Sequence, residues 1–70
     1  MKLEYDSKAD AIYIRLKDVA IVSTREVEDN LVVDLDAKGR MVGIELLFVS
    51  DYLSPEDIGS FTVTNLRASA

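Results

Sequence analysis

Residues 31–49, LVVDLDAKGRMVGIELLFV, carry the pattern that decides the fold. Apolar side chains recur at every second position on both sides of a polar break at 37–40. Period-two alternation is typical of strands with one buried face, so the stretch predicts two antiparallel strands joined by a turn. Gly39 is expected to take the positive φ that such a turn needs.

The two apolar rows also predict the length of that turn. Val33 lies beside Ile44, and Leu35 beside Val42, only if the loop has an even number of residues, because a three-residue loop would move one row to the wrong face. The predicted core consists of these rows together with part of the preceding hairpin: Ile12, Ile14, Val33, Leu35, Val42, Ile44, Leu46 and Phe48.

The stretches upstream read as strands too. Residues 2–6 (KLEYD) and 11–17 (AIYIRLK) alternate and predict a first hairpin, with Tyr5 opposite Ile12. Residues 19–28 are rich in β-branched side chains, which favours a strand without indicating its register.

A helix start is visible downstream in Ser54-Pro55-Glu56-Asp57. Serine is a good N-cap, proline suits the first helical position, and two acids lie at the positive end of the helix dipole. Gly59 would end this helix after little more than one turn, although a start near Asp51 with a bend at Pro55 is an alternative. Residues 61–66 (FTVTNL) are a candidate last strand.

Taken together, these segments predict an α+β fold in one domain spanning residues 1–70. Its parts are an antiparallel four-stranded β-meander, one short helix near 54–59 and a candidate fifth strand.

Composition excludes several kinds of chemistry. The 70 residues include 8 Lys plus Arg, 13 Asp plus Glu and no His or Cys, for a net charge of −5. There is therefore no Cys/His zinc site, disulfide, thiol nucleophile or imidazole base. We expect no enzyme activity and no cofactor. The scattered basic residues and negative charge argue against nucleic acid, and no apolar run approaches a membrane span of about 20 residues, so we expect a cytoplasmic protein.

One motif nearly matches a calcium-binding loop. Asp34, Asp36, Gly39 and Glu45 stand at the positions where an EF-hand has Asp, Asp, Gly and Glu, but Lys38 occupies a ligand position. The flanks read as strands, and Glu45 is expected on the face opposite the two aspartates. The prediction is no metal site, and binding of a divalent metal or small ligand by carboxylates of the 34–45 hairpin is the alternative.

Several apolar residues lie off the main apolar rows, on the second face of the predicted sheet: Tyr13, Met41, Leu47 and Val49. A soluble monomer seldom exposes such a patch. A short chain without disulfide or zinc gains stability from self-association. We therefore expect a homodimer formed through this face or an edge strand, unless residues 51–66 fold over that face.

The opening KLEYDSKADAIYIRL and the middle LVVDLDAKGRMVGIELLFVS bear a family resemblance. Together they resemble small bacterial and archaeal proteins filed as domain of unknown function, family number 2283. The resemblance covers about residues 2 to 50 in two blocks. It implies a compact α+β domain with a strand meander, and it assigns no enzyme activity to any residue of this chain.

Two classes of function remain at this stage. The first is a non-enzymatic, homodimeric protein-interaction module, in concrete form an acidic, antitoxin-like partner of a basic protein. The second is the small-ligand or metal-dependent role of the 34–45 carboxylates.

Overall fold

A computed structural model describes residues 1–67 of the chain. It consists of five strands, a 3-10 helix and one short α-helix. These are β1 (Lys2–Asp6), β2 (Ala11–Arg15), β3 (Ser23–Glu28), β4 (Leu31–Leu35), β5 (Met41–Leu47), the 3-10 helix (Val49–Asp51) and α1 (Pro55–Ile58).

The strands form one antiparallel sheet in the order β1-β2-β5-β4-β3. The antiparallel sheet and the short helix are confirmed, but the sheet has five strands rather than four and is not a simple meander. β5 lies between the two hairpins β1-β2 and β3-β4. This order buries the most apolar strand in the centre and leaves the charged strands β1 and β3 at the edges, where charge discourages pairing with other chains.

The two faces of the sheet differ in character, because successive side chains of a strand point to opposite faces. The first face carries Leu3, Tyr5, Ile12, Ile14, Ser23, Arg25, Glu28, Leu31, Val33, Leu35, Met41, Ile44 and Leu46. The second face carries Ala11, Tyr13, Arg15, Val32, Asp34, Gly43, Glu45 and Leu47.

The first hairpin has the predicted register, with Tyr5 opposite Ile12. Its turn is closed by Asp6, whose Oδ1 accepts hydrogen bonds from the backbone N–H groups of Lys8 (2.9 Å) and Ala9 (3.2 Å).

The even-numbered loop of the second hairpin is wrong. The N–H of Asp36 donates to the carbonyl of Arg40 (2.9 Å), which leaves a three-residue loop, with Gly39 at φ 76° as expected. The faces still coincide because the register shifts after Asp34, so that Val42 is an extra residue on β5. The extra residue on β5 offsets the odd number of loop residues, so the apolar rows of β4 and β5 stay on the same face.

Among residues 1–67, five apolar residues are buried: Ala11, Ile12, Val33, Val42 and Val49. The predicted core residue Phe48 is instead 52 % exposed, while Val49, predicted on the second face, is fully buried. The cause is the backbone of Phe48, whose φ of 55° ends the strand and interrupts its alternation.

The C-terminal helix has the predicted start and end. Ser54 caps α1 in a capping box: its Oγ accepts from the N–H of Asp57 (3.1 Å), and the Asp57 carboxylate accepts from the N–H of Ser54 (3.0 Å). Gly59 is the C-cap, and the alternative start near Asp51 is wrong, because residues 49–51 form a separate 3-10 helix.

The segment after α1 is not a strand, so the candidate fifth strand at 61–66 is wrong. The C-terminal segment also does not cover the second face. Its Leu53 and Ile58 face Ile12 and Leu46 of the first face across a groove of about 210 Å³. The molecule is consequently flat, with extents of 36 × 35 × 18 Å.

Candidate functional site

The carboxylate of Asp34 is the centre of a polar cluster that joins three strands of the sheet. One of its oxygens accepts a hydrogen bond from the Tyr13 hydroxyl (2.8 Å), and the other accepts from Thr24 Oγ1 (2.8 Å). The cluster ties β2 and β3 to β4 across the second face. Both carboxylate oxygens of Asp34 therefore have partners within the fold.

The Tyr13 side chain reaches Asp34 by crossing over Gly43. A Cβ built on Gly43 would lie 2.6 Å from Tyr13 Cζ and closer still to the hydroxyl oxygen, so only glycine leaves room for the ring. Loss of solvation raises the pKa of Tyr13, and the hydrogen bond to Asp34 adds to the effect. The phenol is thus held as a neutral hydrogen-bond donor.

Asp36 and Lys38 lie in the β4–β5 turn and have a structural role there. Asp36 Oδ1 accepts from the N–H groups of Lys38 and Arg40, both at 2.9 Å, and Oδ2 lies 3.5 Å from Lys17 Nζ. The backbone hydrogen bond from Arg40 is the main cause that lowers the pKa of Asp36. The resemblance to a calcium loop therefore corresponds to a capped β-turn.

Glu45 lies on the same face as Asp34, so its predicted place on the opposite face is wrong. In the observed register Asp34 pairs with Gly43 and Val32 pairs with Glu45, which puts Glu45 on the second face. Even so, within residues 1–67 no group of three or more Asp or Glu side chains is placed to hold a metal ion. The metal alternative gains no support from the geometry.

A second polar cluster joins two distant parts of the chain. Asp10 accepts three hydrogen bonds: from Ser50 N–H at Oδ1 (3.0 Å), from Ser50 Oγ at Oδ2 (2.6 Å) and from Val49 N–H at its carbonyl (3.1 Å). This Asp10–Ser50 clamp fastens the 3-10 helix to the β1–β2 turn. Asp10 itself has a φ of 54°, a left-handed conformation that aspartate tolerates better than most residues.

The four residues predicted to form a dimer interface do not make one continuous patch. Val49 is fully buried in the chain's own core, and Tyr13 is engaged with Asp34. Met41 is 51 % exposed, and the register shift puts it opposite Leu35 of the first face rather than on the second face with Leu47.

The sequence did not predict the Asp10–Ser50 clamp, and it did not predict the hydrogen bond from Thr24 to Asp34. The clamp joins residues 40 positions apart, and no local pattern predicts such a contact. The isolated Asp10 before a β-branched run was the only local signal, because aspartate is frequent where a turn needs positive φ.

The fold and these clusters indicate the class of protein. It is a small antiparallel-sheet domain, and its Asp34 and Asp10 clusters form hydrogen bonds between different strands and turns of the same chain. No helix among residues 1–67 has the length and apolar character needed to cross a membrane. The chain belongs to the family described as Protein of unknown function (DUF2283), whose model matches residues 2–50. No curated protein and no solved structure matches the chain.

The match ends at Ser50, and the family resemblance therefore covers the residues of both polar clusters. Five of the residues that carry the resemblance stabilise the fold. Asp6 and Asp10 hydrogen-bond within or across turns, and Tyr13 bridges two strands. Gly39 adopts a positive φ, and Gly43 leaves room for the ring of Tyr13.

Proposed function

We propose that the chain is a non-enzymatic protein-interaction module that acts as a homodimer paired through the first face of its sheet. The observation that carries the proposal is that the C-terminal segment covers only part of this apolar face. Residues Leu53–Phe61 lie against its β1, β2 and β5 part. The rows continue across β4, where Leu31 and Leu35 are half-buried on either side of the buried Val33.

The charges on the sheet favour a dimer formed by two first faces over one formed by two second faces. In the strands, the second face carries five acidic and two basic residues, a net charge of −3: Glu4, Asp6, Glu26, Asp34, Glu45, Lys2 and Arg15. The first face carries only Arg25 and Glu28, which balance. Two second faces would repel each other, whereas two first faces would not.

The edge strands are less suited to pairing. Every residue of β3 is exposed, and the strand has three charged residues and a register shift between Glu26 and Glu28. Charges and bulges are the features by which edge strands avoid pairing with other chains. β1 likewise presents Lys2 and Glu4.

The first face of the sheet is by itself smaller than one side of a standard interface. Five strands about 4.8 Å apart and about six residues long give a face of roughly 500 Å², compared with about 800 Å² per partner in a standard interface. A stable contact therefore needs area from the C-terminal segment as well. Covering the half-buried rows would add apolar burial to residues 1–67, in which five apolar residues are buried.

The absence of enzymatic activity remains part of the proposal. It is supported by the roles of the polar residues: the Asp34, Asp36 and Asp10 carboxylates all accept hydrogen bonds from the chain itself. Acid–base chemistry needs a carboxyl group directed at a substrate.

Analytical ultracentrifugation of the wild-type chain and three variants tests this proposal. Wild type should sediment at twice 7.8 kDa at micromolar concentration. Leu31→Glu on the first face should dissociate the dimer, and Val32→Glu, the next residue on the second face, should not. Arg25→Glu, on the exposed part of the first face, provides a variant that does not disturb the core.

A mass of 7.8 kDa at every concentration would overturn the homodimer. A dimer lost in Val32→Glu but retained in both Leu31→Glu and Arg25→Glu would move the interface to the second face.

In such a dimer the second face points outward, and its net negative charge suits a basic protein partner, as in an antitoxin-like pair. The protein encoded next to this chain is the natural candidate to test by calorimetry. Binding that weakens as salt rises, and that Glu4→Lys or Glu26→Lys weakens further, is the expected result. Salt-independent binding or none would contradict it.

A further inference from the structure

The segment after α1 exposes three large apolar side chains. Phe61, Val63 and Leu66 are 61 %, 76 % and 89 % exposed. Within residues 1–67, no backbone hydrogen bond joins residues 60–66 to the sheet. Residues 60–65 therefore have no hydrogen-bonded strand partner, and residues 66 and 67 form a turn.

The composition of this segment fits a buried, strand-like contact. Phe61 and Val63 alternate with Thr62 and Thr64, all of them residue types that favour extended backbone. Residues 60–66 contain no charged residue, although 30 % of the chain is charged. An uncharged apolar stretch avoids the repulsion that a chain of net charge −5 has for its own copies.

We propose that Phe61, Val63 and Leu66 bind the open β4 part of the first face of a second copy of this chain. The inference rests on the proposed homodimer and specifies what each copy contributes to it. Each copy would supply an apolar segment and a half-covered apolar face, so the contact is two-fold and self-complementary.

The position of the segment supports this exchange. Phe61 lies at the first-face groove beside Leu46 and Ile14, where the cover by the C-terminal segment ends. Seven extended residues span about 23 Å, enough to pass the five residues of β4, which cover about 17 Å. Residues 60–66 can thus continue from the groove across a facing copy.

The decisive experiment compares Val63→Asp/Leu66→Asp with Val19→Asp by sedimentation equilibrium. The two segment residues are so exposed that their replacement leaves the packing of a monomer unchanged, and Val19 is an exposed apolar residue of the loop between β2 and β3, outside the proposed contact. The dimer dissociation constant should rise about tenfold or more in the segment variant and change by less than about twofold in Val19→Asp.

The possible results separate the two proposals. A wild-type monomer would overturn both. A wild-type dimer of unchanged affinity in the segment variant would overturn this inference and leave the homodimer standing. If wild type is a monomer and the segment variant is a monomer that unfolds more easily, the segment covers its own chain. That result would also overturn the inference.

Discussion

At the scale of single residues, Gly43 and Tyr13 are a matched pair. The ring of Tyr13 occupies the space where any other residue at position 43 would place its Cβ. Gly43→Ala must push the ring away from Asp34, and overpacking of this kind costs about 1–3 kcal/mol of unfolding free energy. Urea denaturation measures the loss.

A double-mutant cycle provides the control for that prediction. In a Tyr13→Ala background, Gly43→Ala should cost much less, because the obstructing ring is gone. Equal costs in both backgrounds would show that the glycine is required for another reason.

The Asp10–Ser50 clamp gives a second prediction at this scale. Asp10→Ala removes two side-chain hydrogen bonds and places alanine at a φ of 54°, so we expect a loss of about 1–3 kcal/mol. Asp10→Asn should cost less, because asparagine tolerates this φ and keeps one acceptor. Ser60→Ala, an exposed serine outside the clamp, should stay within about 0.5 kcal/mol. Equal stability of all three would exclude a structural role for the clamp.

Alternation in the sequence predicted individual neighbours well wherever the backbone stayed regular. It placed Tyr5 against Ile12 and Val33 against Ile44. It failed at Phe48, where a left-handed residue interrupts the alternation, and no residue type there signals that conformation.

At the scale of the elements, the β4–β5 turn depends on Asp36. The pKa of Asp36 lies below its ordinary value of 3.8, first because of the Arg40 N–H hydrogen bond. A lowered pKa means that the stabilisation is present above pH 3.8 and is lost as the pH falls through the folded-state value. Stability should therefore drop below pH 3.8, and Asp36→Asn, which keeps an acceptor for the turn, should reduce that drop.

Urea midpoints measured along an acid titration test this prediction. Val32→Thr, a neutral substitution outside the turn, should keep the wild-type pH dependence. An Asp36→Asn protein with the same acid dependence as wild type would show that the turn carboxylate is not involved.

Sequence reasoning found the strands and the helix caps but not their arrangement. Turn residues and alternation are local signals, so Gly39 and Ser54 were predicted correctly. The bulge at Val42 was not predicted, because a bulge with an odd-numbered loop gives the same alternation of apolar residues as a regular strand with an even-numbered loop. The pairing of β2 with β5 was not predicted either, because it joins residues about 30 positions apart.

At the scale of the whole molecule, a flat sheet with one incompletely covered apolar face explains why self-association is expected. The sequence pointed to a homodimer through the second face, on the assumption that each apolar residue off the main rows is exposed. Burial of Val49 and the negative charge around Asp34 and Glu45 shift the proposed contact to the first face. Charge distribution over a face depends on register, which local patterns do not show.

Isotope-filtered NMR of a mixture of labelled and unlabelled protein observes this contact most directly. We expect intermolecular nuclear Overhauser effects between the Leu31 and Leu35 methyl groups of one copy and Val63 or Leu66 of the other. Effects among the Leu31 and Leu35 methyl groups alone would contradict the contact of the segment but keep pairing through the first face. Effects confined to the Ala11 and Leu47 methyl groups of the second face, in a sample of dimeric mass, would contradict pairing through the first face.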